Sequence, residues 1–114
     1  MATFDMSYLE NEPLEFKNLY GNDYTIPGDI SVEFMLKLSK LDKKREQAKD
    51  QEKQIEVMVD FVAEILNLDE SQEISVEEIR QKFNFKAMQI IISEWTKHIQ
   101  KLQSDPNSES PSSK

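Results

Sequence analysis

The hydrophobic pattern near the start of the chain predicts a β-hairpin. Apolar and polar residues nearly alternate along Leu14–Leu19, as in a strand with one buried face. Residues 20–23, Tyr-Gly-Asn-Asp, form a turn signal, because glycine and asparagine tolerate positive φ. Residues 24–26, Tyr-Thr-Ile, are aromatic and β-branched. We therefore expect a hairpin within residues 13–28 that pairs Leu14–Leu19 with residues 24–26.

A helix is expected next. Ser31 or Asp29 can cap its first turn, because a side-chain oxygen there accepts a free backbone N–H. Met35, Leu38 and Leu41 then recur at steps of three, with Leu36 beside them. The spacing predicts an amphipathic helix of about three turns.

Residues 42–54 are strongly polar, and alanine is their only apolar residue. Helix propensity favours a continuing helix there. The lack of any face to bury argues for fraying, so a solvated helix and a mobile charged loop both remain open.

Two more apolar stripes follow, with a short capped helix between them. The first stripe predicts a helix that begins near residue 55, and residues 76–83 form the short helix, with Ser75 and Glu78 as a capping box. The last helix is expected over residues 85–103, with a heptad-like seam. Residues of the first stripe are Ile55, Met58, Val59, Val62, Ile65 and Leu66, and those of the last seam are Phe85, Met88, Ile92, Trp95, Ile99 and Leu102.

The last seam has two interpretations. A stripe at helical spacing usually faces the core of its own domain. The functional hypothesis is that part of it receives a partner helix, because methionine adapts to partners and tryptophan anchors them. The candidate partner-binding residues are Met88, Ile91, Trp95 and Ile99.

The fold class expected from these elements is mainly α, a small helical domain with an N-terminal β-hairpin. Residues 1–103 form this single domain: an arm over 1–12, the hairpin over 13–28 and helices over 30–103. Residues 104–114 hold five serines, two prolines and no apolar side chain. Such a segment is expected to be a disordered tail.

Composition excludes several classes of protein. The 114 residues carry a net charge of -8, no cysteine, one histidine and two glycines. Disulfides, thiolate metal sites and glycine-rich phosphate loops are thereby excluded. His98 has no evident catalytic partner, so we expect no enzyme, cofactor or metal. No signal peptide or membrane span is evident, which predicts a cytoplasmic protein that binds no membrane.

Basic residues cluster in the middle of the chain. Seven of the fourteen cations lie within residues 37–53, where four acids are interleaved with them. A solvated helix face explains this better than a nucleic-acid site. Residues 75–103 also have the outline of a helix-turn-helix, but the second helix is apolar where bases would be read. A small DNA-binding regulator remains the alternative function.

Residues 14–41, which begin Leu-Glu-Phe-Lys-Asn-Leu-Tyr-Gly-Asn-Asp, resemble tail assembly chaperones of long-tailed phages and prophages of Gram-positive bacteria. The shared features are a hairpin that ends in a Tyr-x-Ile-Pro-Gly segment, here residues 24–28, and an acidic, serine-bearing helix start, here residues 29–33. A charged helical remainder and a polar tail complete the likeness in layout.

The resemblance implies a non-enzymatic role in virion morphogenesis. Such chaperones keep the tape measure protein soluble while tail-tube subunits polymerise around it. They act in the host cytoplasm, leave before the virion matures, and are made in short and programmed-frameshift forms. The implied partner is the tape measure protein, with the tail-tube protein and self-association as further candidates and no nucleic acid. A structural tail adaptor is a third hypothesis.

Overall fold

The computed structural model describes residues 2–5 and 12–103, and side chains as far as residue 100. The described part is mainly α-helical with an N-terminal antiparallel hairpin, so the expected fold class is confirmed. The predicted tail over 104–114, and residues 1 and 6–11 of the predicted arm, lie outside the described residues. In chain order the elements are β1 (Leu14–Leu19), β2 (Asn22–Ile26), α1 (Val32–Gln47), α2 (Gln51–Leu66), α3 (Val76–Lys82) and α4 (Phe85–Gln103).

The hairpin forms where the alternation predicts it. Leu14 pairs with Ile26 and Phe16 with Tyr24, which puts these side chains on the face that meets the helices. The register shifts between Phe16 and Leu19. Gly21 has φ +85°, as the turn signal requires. β2 begins at Asn22, two residues earlier than expected.

Helix α1 differs from its prediction in length and in its buried face. It runs for 16 residues, and its buried residue is Phe34. Leu38 and Leu41 follow Phe34 by four and seven positions and are half-buried. Met35, which was expected in the buried stripe, is 52% exposed. The helix lies at the edge of the domain, so only a narrow stripe of it is covered.

The charged stretch 42–54 is a helical end, a break and a helical start. α1 continues to Gln47, Ala48 is buried and extended, and α2 begins at Gln51. Asp50 Oδ1 accepts the Lys53 N–H at 2.8 Å and so caps α2. The stretch is therefore neither one continuous solvated helix nor one charged loop, because it is divided at the cap of α2.

Helix α2 is the centre of the domain. It contacts α1, α3, α4 and β2. Its residues Val62, Ile65 and Leu66 are fully buried, and burial of such side chains is the main source of folding free energy. The helix therefore lies at the centre of the core and joins the hairpin to the other three helices.

Helix α4 spans the predicted residues, and α3 ends at Lys82, one residue earlier than predicted. Of the predicted capping box only the Ser75 half forms, and the Glu78 carboxylate pairs with Lys82 instead. Ser75 Oγ accepts the Glu78 N–H at 3.1 Å, and Ile79 is fully buried. Asn84 Oδ1 accepts the Ala87 N–H at 2.7 Å, which caps the start of α4. Both caps satisfy backbone donors that have no partner within the helix.

The hairpin is fastened to the loop between α2 and α3 by one buried carboxylate. Asp69 accepts the Thr25 N–H at 2.8 Å and the Ser71 hydroxyl at 2.6 Å. The hydrogen bond from the Ser71 hydroxyl has the largest effect and that from the Thr25 N–H the next largest, and together they hold the pKa of Asp69 below its ordinary value. At the same junction burial raises the pKa of Tyr24, and the charges of Glu78 and Asp69 add to this effect.

A second fastening joins the hairpin turn to the start of α4. The Tyr20 ring lies 4.7 Å from the Phe83 ring, and its hydroxyl accepts the Asn84 N–H at 2.9 Å. These contacts hold the hairpin against α3 and α4. They stabilise it, since an isolated two-stranded sheet is only marginally stable in water.

Candidate partner-binding groove

The four predicted partner-binding residues all lie in the core. Met88, Ile91, Trp95 and Ile99 are at most 8% exposed and belong to one cluster with α2. The interpretation of the seam as core is confirmed for these residues, whereas Phe85 is exposed and the side chain of Leu102 lies outside the described part. Contact of these four residues with a partner stays a prediction. Of the four, Trp95 and Ile99 line a groove at the surface.

The first residue of the predicted seam does not follow the pattern. Phe85 is 48% exposed, whereas Ile91, which the heptad spacing omitted, is 1% exposed. α4 packs on α2, and its positions 88, 91, 95 and 99 are buried in the same cluster as the residues of α2. This spacing of three and four residues, which starts at Met88, leaves the first turn of α4 outside the interface.

The groove has a volume of about 440 Å³ and is bounded by α1, α2 and α4. α1 and α4 both pack on α2, and the Phe34 ring meets the Trp95 ring edge-on at 5.8 Å. Beyond this contact the two outer helices leave a space between them. The residues that line the groove are Ile30, Met35, Leu38, Ser39, Leu41, Asp42, Arg45, Val57, Phe61, Trp95, Thr96, Ile99 and Gln100.

An exposed apolar row of α1 continues from the groove. Val32, Met35 and Leu36 are all more than half exposed, and Met35 also lines the groove. Sequence reasoning placed Met35 and Leu36 with the buried stripe and so missed this surface. One feature of the sequence could have indicated this surface: α1 holds more apolar residues than the narrow contact with one neighbouring helix can bury.

The helices on either side of the groove differ in charge from the chain as a whole. α1 carries five cations and three acids, and α4 carries three cations and one acid, while the whole chain has a charge of -8. Arg45 and Asp42, both groove residues, pair at 2.7 Å. Lys40, Lys43 and Lys44 make no ion pair within residues 2–5 and 12–103. None of these three lysines lines the groove, and Lys44 lines a separate hollow beside α2, so the charged side chains of the groove itself are the paired Asp42 and Arg45.

Trp95 combines three properties in one side chain. It is 4% exposed, it lines the groove, and its ring contacts both Phe34 and Phe61. Its buried Nε1–H has no hydrogen-bond partner in the described part of the chain. Buried donors are nearly always paired in folded proteins, so an unpaired one requires an explanation.

Other candidate chemistry is limited in the described ranges. His98 Nε2 lies 2.7 Å from the Glu12 carbonyl oxygen, which attaches the segment before β1 to α4. Residues 2–5 and 12–103 contain no group of three acidic, histidine or cysteine side chains placed to hold a metal ion. None of the helices found there is long and apolar enough to cross a bilayer.

The segment 75–103 forms two capped helices that both pack on α2. The exposed residues early in α4 are Phe85, Lys86, Gln89 and Ile90. This surface is only partly polar, and the DNA-binding hypothesis stays a prediction.

Comparison with known protein families, with characterised proteins and with solved structures found no match to this chain.

Proposed function

We propose that the protein is a tail assembly chaperone that binds the tape measure protein and keeps it soluble while the tail tube polymerises. The observation that carries the proposal is the open apolar groove between α1 and α4, together with the exposed row of α1 that extends it. The resemblance of residues 14–41 to such chaperones supplies the identity of the partner.

A chaperone that holds apolar helices must meet two physical requirements. It needs apolar surface that a client helix can cover, and it needs charge that keeps the complex soluble. The groove and Met35 provide the first, and the net charge of -8 provides the second. Binding of this kind needs no nucleotide and no catalytic residue, so the proposed activity is non-enzymatic and independent of ATP.

The proposal expects a tape measure gene beside the gene of this chain, and it is tested by co-expression of the two proteins. We expect the large helical protein to be soluble only in the presence of this chain and to co-elute with it in size-exclusion chromatography. A tape measure protein that is soluble alone, or that stays insoluble with the chaperone, would contradict the proposal.

The two other hypotheses predict different results. A DNA-binding regulator should retard duplex DNA, with an affinity that falls steeply as salt rises. A structural adaptor should be present in purified virions, whereas a chaperone should be absent from them. The chaperone proposal also expects self-association and contact with the tail-tube protein to be weaker than contact with the tape measure protein.

A further inference from the structure

We infer that the outer edge of β1 pairs with β1 of a second copy of the chain, so that two hairpins form one four-stranded antiparallel sheet around a two-fold axis. Addition of a strand to an open sheet edge is a common mode of protein association. The residues concerned are Glu15, Phe16 and Lys17, in the middle of β1. No residue of the hairpin lines the groove, so this surface is separate from the one that carries the proposed function.

The outer edge of β2 is closed. The Thr25 N–H donates a hydrogen bond to Asp69. The Gln72 side-chain amide donates to the Asp23 carbonyl oxygen, and residue 27 is a proline, which has no N–H. Side chains from the loop between α2 and α3 therefore occupy the backbone groups with which another strand would have to pair.

The outer edge of β1 is open at Glu15. This residue lies opposite Thr25 in the hairpin register. Because the Thr25 N–H donates to Asp69, the two residues form the kind of antiparallel pair that exchanges no hydrogen bonds. The N–H and C=O of Glu15 therefore point away from β2, and no hydrogen bond from them outside the hairpin occurs in the described ranges.

The same edge is open at Lys17. Its N–H lies two residues further along β1 and points to the same side as that of Glu15. The Asn18 N–H donates to Asp23 Oδ1 of β2. Because the N–H and C=O of a trans peptide point in opposite directions, the Lys17 carbonyl is turned away from β2.

Charge selects the register of the two strands. Outward backbone groups of both copies must face each other, so a two-fold axis can pass through Glu15, Phe16 or Lys17. An axis at Glu15 or Lys17 puts two equal charges directly opposite each other, which is destabilising. An axis at Phe16 puts each Glu15 opposite Lys17 of the other copy. Both side chains are exposed, and within the described residues neither makes an ion pair.

The side chain of Phe16 favours the same register. It is half-buried and packs against the core of its own domain. With the axis at this residue, the two Phe16 side chains form a pair without mutual backbone hydrogen bonds, in which side chains of adjacent strands lie closest together. Cross-strand aromatic pairs of this kind stabilise a sheet.

Two features oppose the pairing and limit its strength. Two chains of charge -8 repel each other, but salt screens this repulsion beyond about 8–10 Å, whereas opposed side chains on adjacent strands lie much closer. A lysine on an edge strand hinders the addition of other strands. In the register centred on Phe16 this lysine meets a glutamate, so the hindrance falls on other registers. The interface is small, and the dimer should therefore be reversible.

The experiment measures the monomer–dimer equilibrium of the full chain by analytical ultracentrifugation over a range of concentrations. Glu15→Lys and Lys17→Glu should each raise the dissociation constant of the dimer at least about tenfold, because each puts two pairs of like charges across the axis. The double variant Glu15→Lys/Lys17→Glu restores opposite charges and should dimerise like the wild type. An equimolar mixture of the two single variants should form heterodimers, since both cross-strand pairs are then complementary.

Two matched variants control for the change in net charge. Glu46→Lys in α1 and Lys86→Glu in α4 alter the charge of the chain by the same amounts at exposed positions outside β1. Both should leave the dissociation constant unchanged. All four substituted positions are exposed, so circular dichroism should show that each variant folds like the wild type.

Three results would overturn the inference. A wild-type chain that stays monomeric at every concentration shows that β1 does not pair with a second copy. A dimer that both single variants leave intact, or that the control variants weaken equally, uses another interface. A dimer that the single variants weaken but that neither the double variant nor the mixture restores has a different register. None of these results bears on whether the tape measure protein is kept soluble, so the dimer and the proposed function can fail separately.

Discussion

At the scale of single residues, two buried polar groups differ in whether they have hydrogen-bond partners. Asp69 is buried and has hydrogen bonds from the Thr25 and Ser71 N–H groups and from the Ser71 hydroxyl. The Nε1–H of Trp95 is buried without a partner in the described part. Asp69 joins two distant segments of the chain, whereas Trp95 lines the groove.

Replacement of Asp69 should loosen the hairpin. Asp69→Ala removes the acceptor of the Thr25 N–H and should lower the free energy of unfolding by about 1.5–3 kcal/mol, as expected for hydrogen bonds to a charged group. Urea unfolding followed by circular dichroism measures the loss. Ser71→Ala is the partial control, since it keeps the bond to Thr25 and should cost less.

The same carboxylate predicts a pH dependence. Because the folded-state pKa of Asp69 is lowered, its stabilising contribution is complete above the unfolded-state pKa. That contribution is lost as the pH falls through the lower folded-state pKa. The wild type should therefore lose more stability in acid than Asp69→Asn, whose amide does not titrate. Parallel acid profiles for the two proteins would contradict the assignment.

At the scale of elements, side-chain caps decide where helices begin. Ser31, Asp50, Ser75 and Asn84 each accept a backbone N–H three residues later. The cap at Asp50 matters most for the fold, because the residues on both sides of it favour helix. It marks the point where the chain turns from α1 into α2.

Asp50→Ala should therefore destabilise the start of α2 by about 0.5–2 kcal/mol. Asp50→Ser retains a capping oxygen and should recover most of that loss. Hydrogen exchange of the Lys53 amide measures the effect locally, since this N–H donates to Asp50 in the wild type. Unchanged protection of that amide in Asp50→Ala would show that the cap does not hold the helix start.

At the scale of the whole molecule, one aromatic cluster ties three helices together. Trp95 of α4 meets Phe34 of α1 at 5.8 Å and Phe61 of α2 at 5.9 Å, both edge-on. Such ring pairs contribute about 0.5–1.5 kcal/mol beyond the area they bury. Phe61 and Trp95 also line the groove, so the core and the proposed binding surface share these two rings.

Trp95→Ala should destabilise the domain by about 3–5 kcal/mol, a large part of the ~5–15 kcal/mol that holds a typical domain. Trp95→Phe should cost less, because it keeps an aromatic ring in the cluster. Thermal unfolding followed by circular dichroism compares the two variants with the wild type. A Trp95→Ala protein that is as stable as the wild type would show that the seam is not part of the core.

The accuracy of the predictions depended on how much of each pattern was local. The hairpin, the cap at Ser75 and the span of α4 follow from residues close in sequence, and the structure confirms them. Of the two cap candidates for α1, Ser31 and Asp29, the structure shows Ser31. The predicted buried face of α1 was wrong. Phe34 and Met35 are both apolar, and the three-residue periodicity favoured Met35 as the buried one. Which of the two is buried depends on where α2 and Trp95 lie.

The sequence alone determined the element types, the mainly helical class and the charge of the chain, because turn chemistry, capping and periodicity act over a few residues. Only the tertiary structure decided that Met88, Ile91, Trp95 and Ile99 fill the core while Met35 and Leu36 remain exposed. The groove exists because α1 and α4 pack on the same central helix without closing on each other. Such a space depends on how three helices are arranged relative to one another, and no local pattern of residues encodes it.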